Sequence, residues 1–138
     1  MKVQLVNPFI EAAVHVVCQE AGEPVTRGPL RVEGNPYTTE DVTAVVGMSG
    51  DVRGSMYLSM STATALAFVS KMLGQPVDRF DELAQSGIGE LSNVVAGTAS
   101  TAFAGMGLAT TIAPPLMLIG AGASMSALDL QRLVVELT

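Results

Sequence analysis

The sequence predicts one α+β domain over residues 1–138, in which two long helices pack on a mostly antiparallel β-sheet. Two observations predict this fold class. Apolar residues recur every three or four positions in two long segments, as they do along one face of a helix. Two other runs alternate apolar and polar residues and are joined by a short glycine-containing turn, which is typical of an antiparallel hairpin. This order of elements favours helices on an antiparallel sheet over a doubly wound parallel sheet.

Two helices are delimited by capping residues and by glycine stops. Asn7 can cap the first helix with Pro8 at its first helical position, and Gly22 ends it. Ser61 can cap another helix, which stops at Gly74 because glycine readily takes the left-handed conformation at a helix end.

The longest predicted helix starts between Asp78 and Asp81 and ends near Gly105 or Gly107. Its apolar residues recur at spacings of three and four, which predicts that one face is buried. This apolar stripe consists of Ile88, Leu91, Val95, Ala99, Ala102, Phe103 and Met106.

The strand signals are clearest in the hairpin, where residues 42–48 and 52–60 flank the turn Ser49–Asp51. Every second residue from Val42 and from Val52 is expected to face the core. Residues 25–33 are predicted to form a short strand or an extended arm, and two further strands are predicted at residues 116–119, short and buried, and 132–137.

The composition argues against several functions. The chain has 7 basic and 13 acidic residues and a net charge of −6, so it is poorly suited to bind the phosphate backbone of nucleic acid. It has no tryptophan and only 4% aromatic residues, so no base-stacking surface is expected. Cys18 is the only cysteine, which excludes an intramolecular disulfide and favours a cytoplasmic location.

One segment requires a test for membrane insertion. No charged residue lies between Glu90 and Asp129, and about 20 apolar residues suffice to span a bilayer. However, the segment is rich in small residues and is interrupted by Pro114–Pro115. We therefore expect a buried helix followed by a buried strand, not a membrane span.

The usual catalytic and metal-binding candidates are sparse. His15 and Cys18 lie three residues apart, but a metal site needs three or four ligands, and no nearby residue would orient a catalytic base. The glycine pairs Gly105–Gly107 and Gly120–Gly122 lack the third glycine of a dinucleotide-binding loop. We therefore expect this chain to bind no metal or cofactor of its own.

The long helix instead carries an unusual polar strip. Ser86, Glu90, Asn93 and Gly97 are three or four residues apart and share one helix face, directed away from the apolar stripe. Their neighbours are small, namely Gly87, Gly89, Ser92, Ala96 and Ser100. Glycine destabilises a helix by up to about 1 kcal/mol relative to alanine, so close approach by another backbone is one explanation. A glutamate and an asparagine at this spacing also occur on ordinary helix surfaces, so the strip alone leaves both interpretations open.

Three segments resemble the CheC/CheX/FliY family of chemotaxis phosphatases, and the resemblance covers nearly the whole chain. The family signature is an aspartate or serine, three residues, a glutamate, two residues, an asparagine and a small residue shortly after. It is matched here by residues 86–97, SGIGELSNVVAG. Residues 6–12, VNPFIEA, resemble the start of CheX proteins, and residues 111–120, TIAPPLMLIG, resemble the strand after the signature helix.

The resemblance is closest to the single-signature members, CheX. CheC-type members carry a second signature on a related helix, whereas the first helix here reads Glu11-Ala-Ala-Val14, with valine in place of asparagine. The resemblance therefore implies one site and a homodimer formed through the sheet. The chain ends at Thr138 after what resembles a penultimate strand, so we expect the sheet edge to be covered, paired or exchanged.

The resemblance also implies a function and a partner. It implies a phosphatase that hydrolyses the phospho-aspartate of a CheY-like response regulator. Asn93 would orient the attacking water, and Glu90 would pair with the regulator's active-site lysine. Ser86, Gly89 and Gly97 would contact the regulator, which would also carry the required Mg²⁺.

Two other functions remain open from the sequence. One is a non-catalytic interaction module of the same fold that binds a response regulator or a flagellar switch component, because fold does not determine function. The other is a small-ligand or structural domain unrelated to signalling. Burial of the polar strip in the protein's own core would favour that last interpretation.

Overall fold

The computed structural model describes residues 3–34, 37–125 and 132–137, which contain three helices and eight short strands. The helices are α1 (Val3–Ala21), α2 (Thr62–Leu73) and α3 (Glu82–Gly105). The strands are β1 (Arg31–Glu33), β2 (Tyr37–Thr38), β3 (Val42–Gly50), β4 (Gly54–Met60), β5 (Thr110–Ile112), β6 (Leu116–Ile119), β7 (Ser124–Met125) and β8 (Arg132–Val134).

The main sheet is antiparallel and centred on β3, which has β4 on one side and both β5 and β6 on the other. Ile112 of β5 lies opposite Met48, and Leu116 of β6 lies opposite Val45. Residues 113–115 therefore stand opposite only two residues of β3, which makes a β-bulge. Both consecutive prolines lie in this bulge, where the missing N–H groups disturb the ladder least.

Two shorter antiparallel ladders, β1–β8 and β2–β7, accompany the main sheet. The β2–β7 ladder joins the same two chain segments as the β3–β6 pairing. Between the two ladders, the buried hydroxyl of Thr39 accepts a hydrogen bond from the Ala123 N–H at 3.0 Å and donates one to the Gly120 carbonyl at 3.1 Å. This side chain therefore satisfies backbone groups where the ladder is interrupted.

Helix α3 is central to the packing, because it contacts α1, α2 and the strands β3, β5 and β6. Phe9 of α1 and Phe103 of α3 meet edge to face, with 5.6 Å between the ring centroids. Inward-facing Val42 and Ala44 of β3 belong to the same buried cluster as Ile88 of α3. The predicted α+β class, with two long helices packed on an antiparallel sheet, is confirmed, and the shorter α2 is a third helix.

The predicted cap and stop of the second helix are confirmed, and the third helix starts within the predicted range. Ser61 Oγ accepts a hydrogen bond from the Thr64 N–H at 3.2 Å, and Gly74 ends α2 with a φ of 68°. Asp81 caps α3 by accepting a hydrogen bond from the Ala84 N–H at 3.0 Å. These caps satisfy N–H groups that have no partner inside the helix, and they determine where α3 begins.

The predicted start of the first helix at Asn7 is wrong, because α1 already begins at Val3 and contains Pro8. A proline at this position removes the hydrogen bond that the Gln4 carbonyl would otherwise accept. Gln4 is exposed, so water can replace that bond near the end of the helix.

The apolar stripe on α3 is confirmed except towards its C-terminal end. The five residues that are buried are Ile88, Leu91, Val95, Ala99 and Phe103. Ala102 and Met106 are exposed, so their assignment to the stripe is wrong. Near the end of α3, Phe103 packs against Phe9 of α1, whereas Ala102 and Met106 lie outside this contact.

The hairpin is confirmed, although its turn comes later than predicted. β3 extends to Gly50 and β4 starts at Gly54, and Val52 is buried within the turn. Of the segment 25–33, predicted as a short strand or an extended arm, only Arg31–Glu33 forms a strand. The strand predicted at 132–137 forms β8 and then an isolated bridge from Leu137 to Arg27.

The strand predicted at 116–119 is present as β6, but it is not buried. Leu116 is 69% exposed and Ile119 is 55% exposed, and none of the described strands pairs with the outer side of β6. β5 was not predicted, although its Thr-Thr-Ile sequence is rich in β-branched residues. Of the helices that the structure describes, none is long and apolar enough to cross a membrane.

Candidate functional site

An open groove of about 580 Å³ lies between the N-terminal half of α3 and the bulge between β5 and β6. Its lining residues are Glu82, Gln85, Ser86, Gly89, Glu90, Asn93, Pro115 and Met117. The six residues from α3 are spaced by three and four, so a regular helix places them on one side. The groove therefore has a polar wall from the helix and a largely apolar wall from the bulged strand.

Glu90 and Asn93 present their functional groups at this groove. Glu90 is exposed and Asn93 is half-buried. Within residues 3–34, 37–125 and 132–137, neither side chain forms a hydrogen bond or an ion pair. Because residues three apart on a helix have Cβ atoms about 5–6 Å from each other, one incoming group can contact both.

Among the described residues, the groove is negatively charged. Glu82 and Glu90 both line it. The ion pairs found among the described residues join Arg31 to Glu33 and to Glu136, which are not groove residues. An incoming cation would therefore meet two carboxylates that have no positively charged partner in the part of the chain that the structure describes.

The predicted site residues are brought together except for one. Ser86, Gly89, Glu90 and Asn93 line the groove, whereas Gly97 lies one turn beyond Asn93 and is not among the lining residues. Gly89 is buried, and a Cβ built on it would lie 3.5 Å from Pro115 Cγ. A Cβ built on Gly97 would meet no described atom within 4 Å, so the exposed space above it is open.

The small residues around the strip mostly serve the protein's own packing, which corrects the expectation that they admit a partner. A Cβ on Gly87 would lie 3.2 Å from Val69 Cγ2 on α2, so this glycine permits close helix packing. Ser92 is buried and donates to its own helix, at the Ile88 carbonyl, over 2.9 Å. Ala96 is likewise buried, and Ser100 is hydrogen-bonded to Thr110 of β5.

Four lining residues were not predicted: Glu82, Gln85, Pro115 and Met117. Glu82 and Gln85 lie four residues before Ser86 and Gly89, so the helical repeat could have identified them. Pro115 and Met117 belong to another element, and their position depends on the register of β6 against β3. No spacing along the sequence indicates that register.

The remaining candidates, His15 and Cys18, are not among the groove residues. His15 is exposed and Cys18 is half-buried on α1. Among the described residues, no three His, Cys, Asp or Glu side chains cluster as metal ligands. On α1, Glu11 is exposed and Val14 is half-buried, so this helix presents a carboxylate without an amide three residues later.

The chain is similar in sequence to known proteins. A family model described as "Chemotaxis phosphatase CheX" matches residues 42–138. The chain is 35% identical over 122 residues to the CheY-P phosphatase CheX of Thermotoga maritima. This alignment covers 87% of this chain and 78% of that protein.

Solved structures resemble the fold over most of its length. The chemotaxis protein CheX from Desulfovibrio desulfuricans matches with a TM-score of 0.85 and 27% identity, over 97% of this chain and 90% of that one. A chain of the CheX–CheY–BeF₃–Mg²⁺ complex from Borrelia burgdorferi matches with a TM-score of 0.75 and 26% identity, over 86% of this chain and 79% of that one.

The family match extends over more than half of the chain and includes the helix that carries the groove. The fold that positions this groove, with helices packed on an antiparallel sheet, is similar to solved structures of CheX proteins. On these grounds, the chain belongs to the chemotaxis phosphatase CheX family.

Proposed function

We propose that this chain hydrolyses the phospho-aspartate of a CheY-like response regulator, using Asn93 and Glu90. The observation that carries the proposal is an amide and a carboxylate three residues apart in one open groove, both without a partner among the described residues. Supporting evidence comes from the relatives, one of which is a CheY-P phosphatase and another of which forms a complex with CheY.

The reaction requires positioning more than a strong base. The oxygen of a water molecule bonds to phosphorus while the bond from phosphorus to the aspartate oxygen breaks. The products are inorganic phosphate and the regulator with an unphosphorylated aspartate side chain. Phosphoryl transfer of this kind depends mostly on alignment and on stabilisation of charge. The Asn93 carboxamide has both donors and an acceptor, so it can hold the water in line with the phosphorus.

Glu90 is proposed to dock the regulator. Its exposed carboxylate lines the same groove as Glu82 and can pair with the ammonium of the regulator's active-site lysine. Such a pair directs the approach of a partner and determines its register. With Glu90 on the lysine, Asn93 would be held within reach of the phosphoryl group.

Ser86, Gly89 and Gly97 are proposed to shape the surface that receives the regulator. Ser86 is exposed and Gly89 lies in the buried part of the groove. The absence of a side chain at Gly97 is not explained by contacts within the described part of the chain. Gly97 has no described atom within 4 Å of a Cβ, yet glycine inside a helix is about 1 kcal/mol less favourable than alanine. Close approach of a regulator loop would explain why a side chain is absent there.

The Mg²⁺ that the reaction needs is proposed to be bound by the regulator. The complex of a relative from Borrelia burgdorferi contains CheY, BeF₃ and Mg²⁺. When bound to the regulator, the ion neutralises charge on the phosphoryl oxygens. The groove residues of this chain then only need to hold the water and the ammonium group.

We further propose a homodimer formed through the sheet. No strand among the described residues pairs with the outer edge of β6, and Leu116 and Ile119 of this strand are exposed. An exposed strand edge with apolar side chains favours pairing with another strand. A second copy of this chain would satisfy the backbone groups of that edge and bury both residues.

The decisive experiment measures phosphate release from a phosphorylated CheY-like regulator, with the wild-type chain and with Asn93→Ala. The proposal expects wild-type protein to accelerate release and Asn93→Ala to do so far less. Chelation of Mg²⁺ should stop the accelerated release, and added Mg²⁺ should restore it. Equal rates for both proteins, no faster than the regulator alone, would indicate a non-catalytic interaction module instead.

A further inference from the structure

Helix α3 carries two exposed aliphatic side chains that its packing does not use. Leu83 is 56% exposed and Val94 is 40% exposed. Neither belongs to the buried cluster or to the residues packed against it. Single exposed apolar residues are common on protein surfaces, so their arrangement matters more than their number.

The two side chains are aligned with Glu90. Leu83 is seven residues before Glu90 and Val94 is four residues after it, and both spacings return to the same helix face. At a rise of about 1.5 Å per residue, they lie roughly 10 Å and 6 Å from Glu90 along the axis. Glu90 is therefore flanked along the helix by an apolar side chain on each side.

This arrangement has a recognised energetic use in protein interfaces. A charged pair contributes more when surrounding apolar contacts exclude water from it. The groove on the other side of Glu90 is polar and contains a second carboxylate, Glu82. The partner that binds here is therefore expected to present a cationic group with apolar side chains next to it.

We propose that Leu83 and Val94 contact the phosphorylated regulator and exclude water from the ion pair at Glu90. This inference rests on the proposed function, since the occupant is the regulator that brings its lysine to Glu90. Because Glu90 shares this face of α3 with Leu83 and Val94, a protein surface that binds Glu90 lies close to both side chains. Leu83 and Val94 are binding residues in this scheme and take no part in the chemical step.

The test compares the variants Leu83→Ser and Val94→Ser with a matched control. Leu73→Ser removes a side chain that is 42% exposed at the end of α2, away from the groove. Binding is measured by calorimetry with a CheY-like regulator loaded with beryllofluoride and Mg²⁺. Turnover is measured as phosphate release over a range of concentrations of the phosphorylated regulator.

Each α3 variant should raise Kd and KM about fivefold with kcat unchanged, because only apolar contact area is lost. Binding by both variants should also weaken more steeply with salt than wild-type binding, since the pair at Glu90 becomes more hydrated. Leu73→Ser should leave Kd, KM and salt dependence at their wild-type values. Thermal unfolding of all three variants verifies that the changes do not reflect lost folding.

Two outcomes separate this inference from the proposed function. Wild-type Kd and salt dependence in both α3 variants would overturn the inference, even if Asn93→Ala abolishes turnover. If wild-type protein binds the loaded regulator but releases no phosphate, the proposed hydrolysis fails while the binding comparison still decides the role of Leu83 and Val94. If wild-type protein does not bind the regulator at all, both are wrong.

Discussion

Gly89 of α3 lies against Pro115 of the β-bulge, such that a Cβ on Gly89 would be 3.5 Å from Pro115 Cγ. This contact joins the helix that carries Glu90 and Asn93 to the opposite wall of the groove. The separation of the two walls therefore depends on a residue without a side chain facing a rigid ring.

Replacing Gly89 tests how this contact determines the groove. Gly89→Ala should fold normally, because 3.5 Å is an ordinary van der Waals contact. Gly89→Leu should lower the free energy of unfolding by about 1–3 kcal/mol and slow phosphate release, since the larger side chain displaces Pro115. For both variants, denaturant unfolding measures the change in stability and phosphate release measures the change in turnover. Gly105→Leu is the control, at a site with no described atom within 4 Å of a Cβ; wild-type stability and turnover in Gly89→Leu would contradict the prediction.

Asn93→Ala should lower kcat for regulator dephosphorylation by about 100-fold, as expected when a group that aligns the reacting water is removed. The Kd for the regulator loaded with beryllofluoride and Mg²⁺ should change much less, because Glu90 is retained. Asn7→Ala, an exposed asparagine on α1, is the matched control. An effect confined to Kd would show that Asn93 contributes to binding only.

Glu90→Lys should weaken binding of the loaded regulator by roughly 10- to 100-fold, because it places like charges together at the docking point. Binding should be measured at low and high salt, since added salt screens this repulsion and should reduce the defect. Glu11→Lys makes the same change at an exposed glutamate on α1. If both variants bind equally well, the docking role of Glu90 is wrong.

Gly97→Ala should separate stability from activity. The added Cβ meets no described atom within 4 Å, so the free energy of unfolding should rise by about 0.5–1 kcal/mol through helix propensity. Regulator binding and turnover should nevertheless fall, because the methyl group occupies the space proposed for a regulator loop. Gly105→Ala should leave activity unchanged. A Gly97→Ala protein that gains stability and keeps full activity would remove the argument for close approach.

Substitution of lysine on the outer edge of β6 should disrupt the proposed dimer. Light scattering of wild-type protein should give twice the chain mass of 14.2 kDa. Leu116→Lys and Ile119→Lys should shift the protein to the monomer mass, since a charge on an edge strand opposes strand pairing. Val32→Lys, at an exposed position on β1, is the control. A monomeric wild-type protein would make the sheet-mediated dimer wrong.

The sequence alone was sufficient for the elements whose signals are local. The cap at Ser61 and the stop at Gly74 depend on residues within one turn and were predicted, and α3 starts at the end of the predicted range Asp78–Asp81. The convergence of Glu90 and Asn93 on one side of α3 follows from the helical repeat, which is a property of the chain itself.

Tertiary structure determined what the local pattern could not. Pro115 and Met117 become groove residues only through the register of β6 on β3 and the bulge before it. Gly87 and Gly97 look alike in the sequence, yet one packs against Val69 and the other faces open space. The physical reason is that the environment of a side chain depends on elements distant in sequence, whereas the helical repeat only determines which residues share a face.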